Sequence, residues 1–371
     1  MKHFLLLLLV ALAPSGGWAQ QPKPKTTPST TNGNRTGSQV SKPTTTPKKP
    51  PTTTTKPINQ STKPKPALKT VSTKTKLIVI YMGAKVHFSP DPTSAQLARL
   101  SFGQFIEAKS QSEQKKKVGN IEDYWYQVPY DNNKTGWIFG GNVRTYGEEN
   151  REMVITEIMR PRMRSGAKAY AEEVAFFDFL AVAAKETQNI DVKAELELAH
   201  LVVVKRILRL IPMEARDKQP YKAWLAANEK LLVFSEPTQA YYLRFDLLWD
   251  LETRYRDIPF AERIAYEAAI TELAGECEGY LTCNLGRLNM REGRYLERYP
   301  RGVYVNDMMS KIESTITQMI SNLSEYRIAE EDKKDLRTEL GFLREAVEAI
   351  EKPQRETILV GLNAIEEKFL R

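Results

Sequence analysis

The sequence predicts an α+β chain in which a small β-barrel is followed by an all-α helical array. Two patterns predict it. Between Lys76 and Tyr146 short β-rich runs alternate with turn residues, and beyond Gly147 apolar residues recur every three or four positions to the end. A third observation bounds both: the preceding stretch is Thr, Pro, Lys, Ser and Asn, with too little apolar surface to offset its ordering entropy. The expected organisation is a signal peptide at 1–19, a disordered linker at 20–75, the barrel at 76–147 and the helical domain at 148–371.

The chain opens MKHFLLLLLVALAPSGGWAQ, a basic start at Lys2, an apolar run from Phe4 to Ala13, then Gly17-Trp18-Ala19. Small residues at the two positions that a signal peptidase reads predict cleavage after Ala19. The apolar run is half the roughly 20 residues of a spanning helix. The expected location is therefore secreted or periplasmic, with no transmembrane segment. The charge divides in the same way. Residues 1–76 hold 13 of the 54 Lys/Arg and no Asp or Glu, leaving 41 Lys/Arg against all 46 Asp/Glu in the rest. Basic character belongs to the tail, and the remainder is mildly acidic. Outside the cytoplasm such a tail meets anionic envelope polymers or lipid headgroups rather than nucleic acid, or it only keeps a Pro/Thr tract extended. Asn34, Asn59, Asn133 and Asn322 each begin an Asn-x-Ser/Thr triplet, which matters only where a host glycosylates it.

In the β-rich region, "KLIVIYMG" and "AKVHF" read as strands and "SPDPTS" as a turn, with Gly103 a break before the next strand. "YWYQVPY" alternates, setting Tyr124, Tyr126, Val128 and Tyr130 on one face and Trp125 and Gln127 on the other; "DNNK" turns the chain into "TGWIFGG". Five or six strands in about 70 residues make a small barrel. Trp125, Tyr126, Val128, Gly136, Trp137 and Ile138 resemble the closing half of the bacterial SH3 (SH3b) family, W-Y-x-V, a turn, then G-W-[VI]. The opening half departs, with His87-Phe88 where the family has an Asn-Val-Arg-like run. The resemblance implies recognition of cell-wall peptide or an envelope protein. Trp125 and Trp137 stand at the most regular motif positions and are expected in the core. Tyr126, Tyr130 and Phe139 are expected to line a groove with His87 or Phe88, and with Trp137 they are the candidate ligand-binding residues. Lys115–Lys117 read as a solvated loop tip.

Beyond Gly147, Leu196, Ala199, Val203, Ile207 and Leu210 form an apolar stripe. So do Val305, Met308, Ile312, Ile316, Met319 and Leu323, and again Leu336, Leu340, Leu343, Val347 and Ile350. Pro212, Ser235–Pro237, Pro259, Gly275–Gly279, Pro300 and Pro353 cut this half into eight to ten helices. The segment 191–211 is apolar on more than one side, as an inner helix is. "EGRYLERYPRGVYVNDMMSKI" resembles a helix-turn-helix of tetratricopeptide-like envelope proteins, although no 34-residue period repeats.

Reactive chemistry is sparse. Cys277 and Cys283, six apart across a Gly-rich bend, are expected to pair as a disulfide. His87 and His200 lie in different segments, so neither a zinc site nor any other metal or cofactor is implied. Both cysteines follow the last histidine, which is the wrong order for the Cys/His peptidases that accompany SH3b modules. The favoured reading is a non-enzymatic binding or scaffold protein, its helical half a second protein-contact surface. Two rivals stand beside it: a cell-wall hydrolase using carboxylates such as Glu276, Glu278 and Glu292, and a structural protein without a ligand.

Overall fold

The computed structural model describes residues 69–131 and 134–371. The expected signal peptide, most of the expected linker, and Asn34, Asn59 and Asn133 lie outside the described residues. The described residues fall within one compact unit. An N-terminal antiparallel β region is followed by eleven α-helical segments among the described residues.

The β region has β1 (Thr70–Ser72), β2 (Lys76–Val79), β3 (Ala84–His87), β4 (Gln96–Leu100), β5 (Phe105–Glu107), β6 (Ser110–Ser112), β7 (Lys116–Val118), β8 (Ile121–Asp123), β9 (Trp125–Pro129), β10 (Thr135–Phe139) and β11 (Val143–Thr145). One sheet runs β1-β6-β9-β10-β3-β4, a second runs β11-β2-β5, and β7-β8 is a separate hairpin. The two larger sheets share a core of Leu77, Val79, Ala84, Val86, Leu100, Ile106, Tyr126, Val128, Ile138 and Val143. They do not join edge to edge into a closed barrel: β1 and β4 end one sheet, and β5 and β11 end the other. β1 falls within the stretch expected to be linker. Thr70-Val71-Ser72 suits a strand, and its backbone pairs in register with Ser112-Gln111-Ser110, so β structure begins before Lys76.

The turns are built as their residues dictate. In the Ser-Pro-Asp-Pro-Thr-Ser turn, Thr93 donates its backbone N–H and its hydroxyl to Asp91 Oδ1 at 2.9 and 2.7 Å. Between β4 and β5, Gly103 takes φ +75°, and a Cβ there would stand 2.6 Å from that of Phe179. Glycine is needed twice over, for the left-handed backbone and for the close approach.

The helical half has α1 (Arg151–Arg164), α2 (Tyr170–Glu186), α3 (Ile190–Arg209), α4 (Tyr221–Ala227), α5 (Asp246–Arg254), α6 (Ala261–Ala269), α7 (Leu281–Leu288), α8 (Arg294–Arg298), α9 (Val305–Ser321), α10 (Lys333–Glu348) and α11 (Gln354–Leu370). The start of α3 is fixed by Asn189, whose Oδ1 accepts from the N–H groups of Asp191 and Val192 at 3.0 Å. α3 buries Leu196, Leu198, Leu201 and Val204, which spread around its axis, and packs on α2, α5 and α1. The stripes on α9 and α10 face inward as spaced: Met308, Ile312, Ile316, Leu336, Leu340 and Leu343 are all buried.

This half also holds a hairpin where helix alone was expected: β12 (Leu232–Ser235) pairs with β13 (Ala240–Leu243). Ser235-Glu-Pro had read as a helix break. The flanking "LVFS" and "AYYL" are β-branched and aromatic, and the Pro-containing turn joins them as antiparallel neighbours. Arg216 fastens that turn, donating to Gln239 O at 2.7 Å and lying over the Phe234 ring.

The sheets and helices are welded rather than strung together. Ile78 and Phe102 belong to the same core as Phe176, Phe179 and Leu180 of α2. Arg162 of α1 stacks on the rings of both Phe102 and Phe176, 5.4 Å from each centroid, and its guanidinium lies 3.4 Å from Glu172 and 3.8 Å from the buried Glu173. The cysteines are paired, with Cα atoms 5.5 Å apart, and close the loop that leads into α7. Among the described residues, no helix is long and apolar enough to cross a membrane.

Phe102→Ala removes a ring from the seam, and a loss of about 3–5 kcal/mol is expected. Because that core is continuous, thermal unfolding should remain a single transition at lower temperature, measured by calorimetry. Cys283→Ser reopens a small loop and should cost about 2 kcal/mol in chemical denaturation, a difference that reductant abolishes in the native chain.

Candidate functional site

The four aromatic residues expected to bind ligand do not form one patch. Register separates them. Tyr126 pairs opposite Ile138, which places it in the core between the sheets. Tyr130 packs half-buried at the end of the same face. Trp137 and Phe139 point the other way, into a second cluster with Trp125. Exposure is 8% for Tyr126, 9% for Trp137 and 5% for Phe139, so these rings build the fold. Burial pushes the Tyr126 phenol above its ordinary pKa, with Asp123 adding to the effect.

The outer cluster is buried because β7-β8 lies over it. Val118 of that hairpin packs on the cluster, and a Cβ on Gly141 would meet both Phe139 and Ile121. His87 closes the other side with its ring edge-on to Trp125 at 5.6 Å, while Phe88 beside it is exposed. The lysine run leads into the β7-β8 hairpin rather than forming a loop tip, and Lys115 and Lys117 are exposed to solvent as expected. Lys116 donates to Pro90 O at 2.9 Å and Lys115 lies over the Tyr124 ring.

The buried carboxylates of the helical half each have a basic neighbour within ion-pair distance. Glu252 is buried under Arg298 and accepts from Tyr299 Oη at 2.8 Å. Glu267 accepts from Lys205 Nζ at 2.5 Å, and Glu292 is 3.3 Å from Arg291. Burial raises the Glu292 carboxyl, and the neighbouring arginine opposes that rise. Glu276 and Glu278 lie exposed on the disulfide loop while Glu292 is buried, so the three acids named from the sequence sit in unlike surroundings. Among the described residues, no cluster of His, Cys, Asp and Glu is arranged to hold a metal ion.

A more site-like feature lies elsewhere. α7 passes into α8 through a π-helical turn, Asn289–Gly293, and faces α10 across a cleft of about 540 Å³. Gly286 and Gly293 thin one wall, Ala346 and Ala349 contribute apolar surface, and the buried Leu296 backs it. Phe342 is 61% exposed and Met290 is 43% exposed, one from each side. The rim carries Glu297, Glu339 and Glu345 against Arg294. Asn289 ties the walls together by donating to Glu339 O and Oε2 at 2.8 and 2.6 Å; its own Oδ1 is buried without a partner. Sequence reading missed this surface. Its signal was present in Gly286, Met290 and Gly293, spaced four and three apart on one helical face.

His200, half-buried on α3, stacks on Phe177 with centroids 4.0 Å apart, and its Nε2 is buried without a hydrogen bond. Desolvation drives its pKa down to about 4. In comparisons with protein-family models, curated proteins and solved structures, no match to this chain was found.

His200 generates a pH prediction. Below the ordinary pKa of about 6.5 the unfolded chain takes a proton that the native imidazole refuses until about 4. The native state therefore binds fewer protons in that window. Its contribution to stability is complete above pH 6.5 and is lost as pH falls to about 4. His200→Phe should flatten this part of the curve of melting temperature against pH, while His87→Phe leaves that component in place.

Proposed function

We propose that the protein is an extracytoplasmic, non-enzymatic binding and scaffold protein, SH3b-like in its sheet half, whose helical half grips an apolar segment of a partner protein in the α7/α8–α10 cleft. The observation that carries this reading is the pairing of exposed Phe342 and Met290 on opposite lips of a glycine-thinned apolar cleft. Large apolar side chains that flank a concave surface mark contact sites, and small residues beneath them let a partner backbone approach. The acidic rim favours a segment with basic flanks.

Location outside the cytoplasm is supported by the Met1–Gln20 pattern and by the paired cysteines, which persist in oxidising compartments. The sheet half is proposed to cap the helices and to hold a wall-facing position at the end of the tail. The hydrolase reading draws on Glu276, Glu278 and Glu292, of which the first two are exposed on the disulfide loop and the third is buried beside Arg291.

A photo-crosslinking residue at position 342 should capture a defined partner in cells. Phe342→Glu combined with Met290→Glu should abolish capture by a residue placed at 346, with melting temperature unchanged because both side chains face solvent. Equal capture by the double variant, together with retention of the chain on purified peptidoglycan, would move the binding surface to the sheet half.

A further inference from the structure

A second cleft, of about 400 Å³, opens between α2, α3 and α5, and its chemistry differs from the first. Its floor and walls are Leu201 on α3, Leu247 and Leu251 on α5, Leu231 ahead of β12, and Ala184 on α2. The rim is cationic. Lys185 comes from the end of α2 and Lys193 from the first turns of α3, and among the described residues neither has a carboxylate within ion-pair distance. Arg254 and Glu197 also stand at the rim, but they neutralise each other at 2.7 Å. The unpaired charge left over is that of the two lysines.

α3 organises this arrangement. Lys193, Glu197, His200 and Leu201 follow one another at i, i+4, i+7 and i+8, so one face of the helix passes from charged to apolar as it descends into the cleft. His200 stands at that transition. A buried ring nitrogen without a partner carries a desolvation cost that packing alone leaves uncompensated. Nowhere else among the described residues do an unsatisfied histidine and unpaired lysines line one apolar cleft.

We propose that this cleft binds a free alkyl carboxylate: its chain lies among Leu201, Leu231, Leu247 and Leu251, and its carboxylate sits between Lys185 and Lys193 with His200 beneath. The volume falls in the range of roughly 300–1,000 Å³ that small-molecule sites occupy. Apolar walls supply affinity through burial of methylene groups, and the lysines fix which end stays at the mouth. This assignment is independent of the protein-contact cleft, since the two share no lining residue.

The test is calorimetric titration of the whole chain with dodecanoate below its micelle concentration, with dodecanol as the neutral counterpart. One-to-one binding of dodecanoate is expected, weakened about tenfold or more in a Lys185→Glu/Lys193→Glu variant and absent in Ala181→Trp, whose ring fills the mouth. Lys185 is exposed and Lys193 and Ala181 are only partly buried, and unchanged melting temperatures will verify that the variants fold. In parallel, dodecanoate should shift the His200 ring resonances and leave those of His87 in place. Several outcomes overturn the proposal: no heat with the native chain, equal affinity in all variants, dodecanol binding as tightly as dodecanoate, or binding only to vesicles of anionic phospholipid.

Discussion

The guanidinium of Arg162 is the point on which the two halves of the molecule depend. It takes one ring from the β region, Phe102, and one from α2, Phe176, and faces the carboxylates of Glu172 and Glu173 at the start of the same helix. The end of α1 that presents it is held in turn by Arg206 of α3, which donates to the carbonyls of Arg162 and Met163. The β4–β5 turn, α1 and α2 thus meet at one planar cation, and α3 holds the backbone that carries it. Lysine would not substitute, because an ammonium is a compact, strongly hydrated charge that neither stacks between two rings nor spans two carboxylates. Glu173 is fully buried, so loss of the arginine leaves an uncompensated charge as well as a void, a far larger penalty than the net worth of the pair.

The helical half repeats this device at lower stakes. Glu252 beneath Arg298 joins α5 to α8 and Glu267 beside Lys205 joins α6 to α3, whereas Glu292 and Arg291 are consecutive residues of one turn. Buried pairs of this kind contribute little net stability against apolar replacements, but they reject alternative packings in which a charge is left alone. That specificity suits an array of short helices whose apolar stripes would otherwise tolerate sliding. Arg294 and Arg298 lie over the face of Trp249, and burial together with the neighbouring Arg298 charge lowers the Arg294 pKa from its ordinary value.

Much of this was legible in the sequence where one periodicity sufficed. The stripes through Met308 and Leu340 imply buried helical faces, and the alternation through Trp125–Tyr130 implies a strand with two unlike sides. The groove expectation failed at the next level, because exposure depends on what covers a face. Tyr126 and Phe139 were grouped by residue type, whereas the pairing of Tyr126 with Ile138 and of Phe139 with Trp125 sends them to opposite sides. The side that looked free is covered by a hairpin whose own sequence, Lys-Lys-Val-Gly-Asn-Ile-Glu-Asp, carries only two apolar residues. Val118 packs on the cluster while Ile121 stays half exposed, and one aliphatic side chain goes far because the cluster is only three rings wide. The β12–β13 hairpin escaped notice for a related reason. Eight β-prone residues around a proline turn are indistinguishable from two helix ends until α3 is present for them to pack against.

Each cleft is assembled from residues far apart in the chain, so a local spacing such as Gly286, Met290 and Gly293 marks one wall and not the facing one, and the difference between the two clefts is instructive. The cleft at α7/α8–α10 is thinned by glycines, lipped by exposed Phe342 and Met290, and rimmed mainly by acids. The one at α2–α3–α5 is walled by leucines and rimmed by unpaired lysines. A polypeptide segment with basic flanks is repelled by the second rim and attracted by the first, and an alkyl anion meets the reverse. Screening over about 8–10 Å at physiological salt keeps each preference local to its own rim. One mildly acidic body can therefore present two surfaces of opposite selectivity, provided that its buried carboxylates stay paired and do not spread their charge into either cleft. The ion pairs that hold the helices in place meet that condition: Arg162, Lys205, Arg291 and Arg298 keep the buried acids company and line neither cleft, which leaves each rim to residues free of that task.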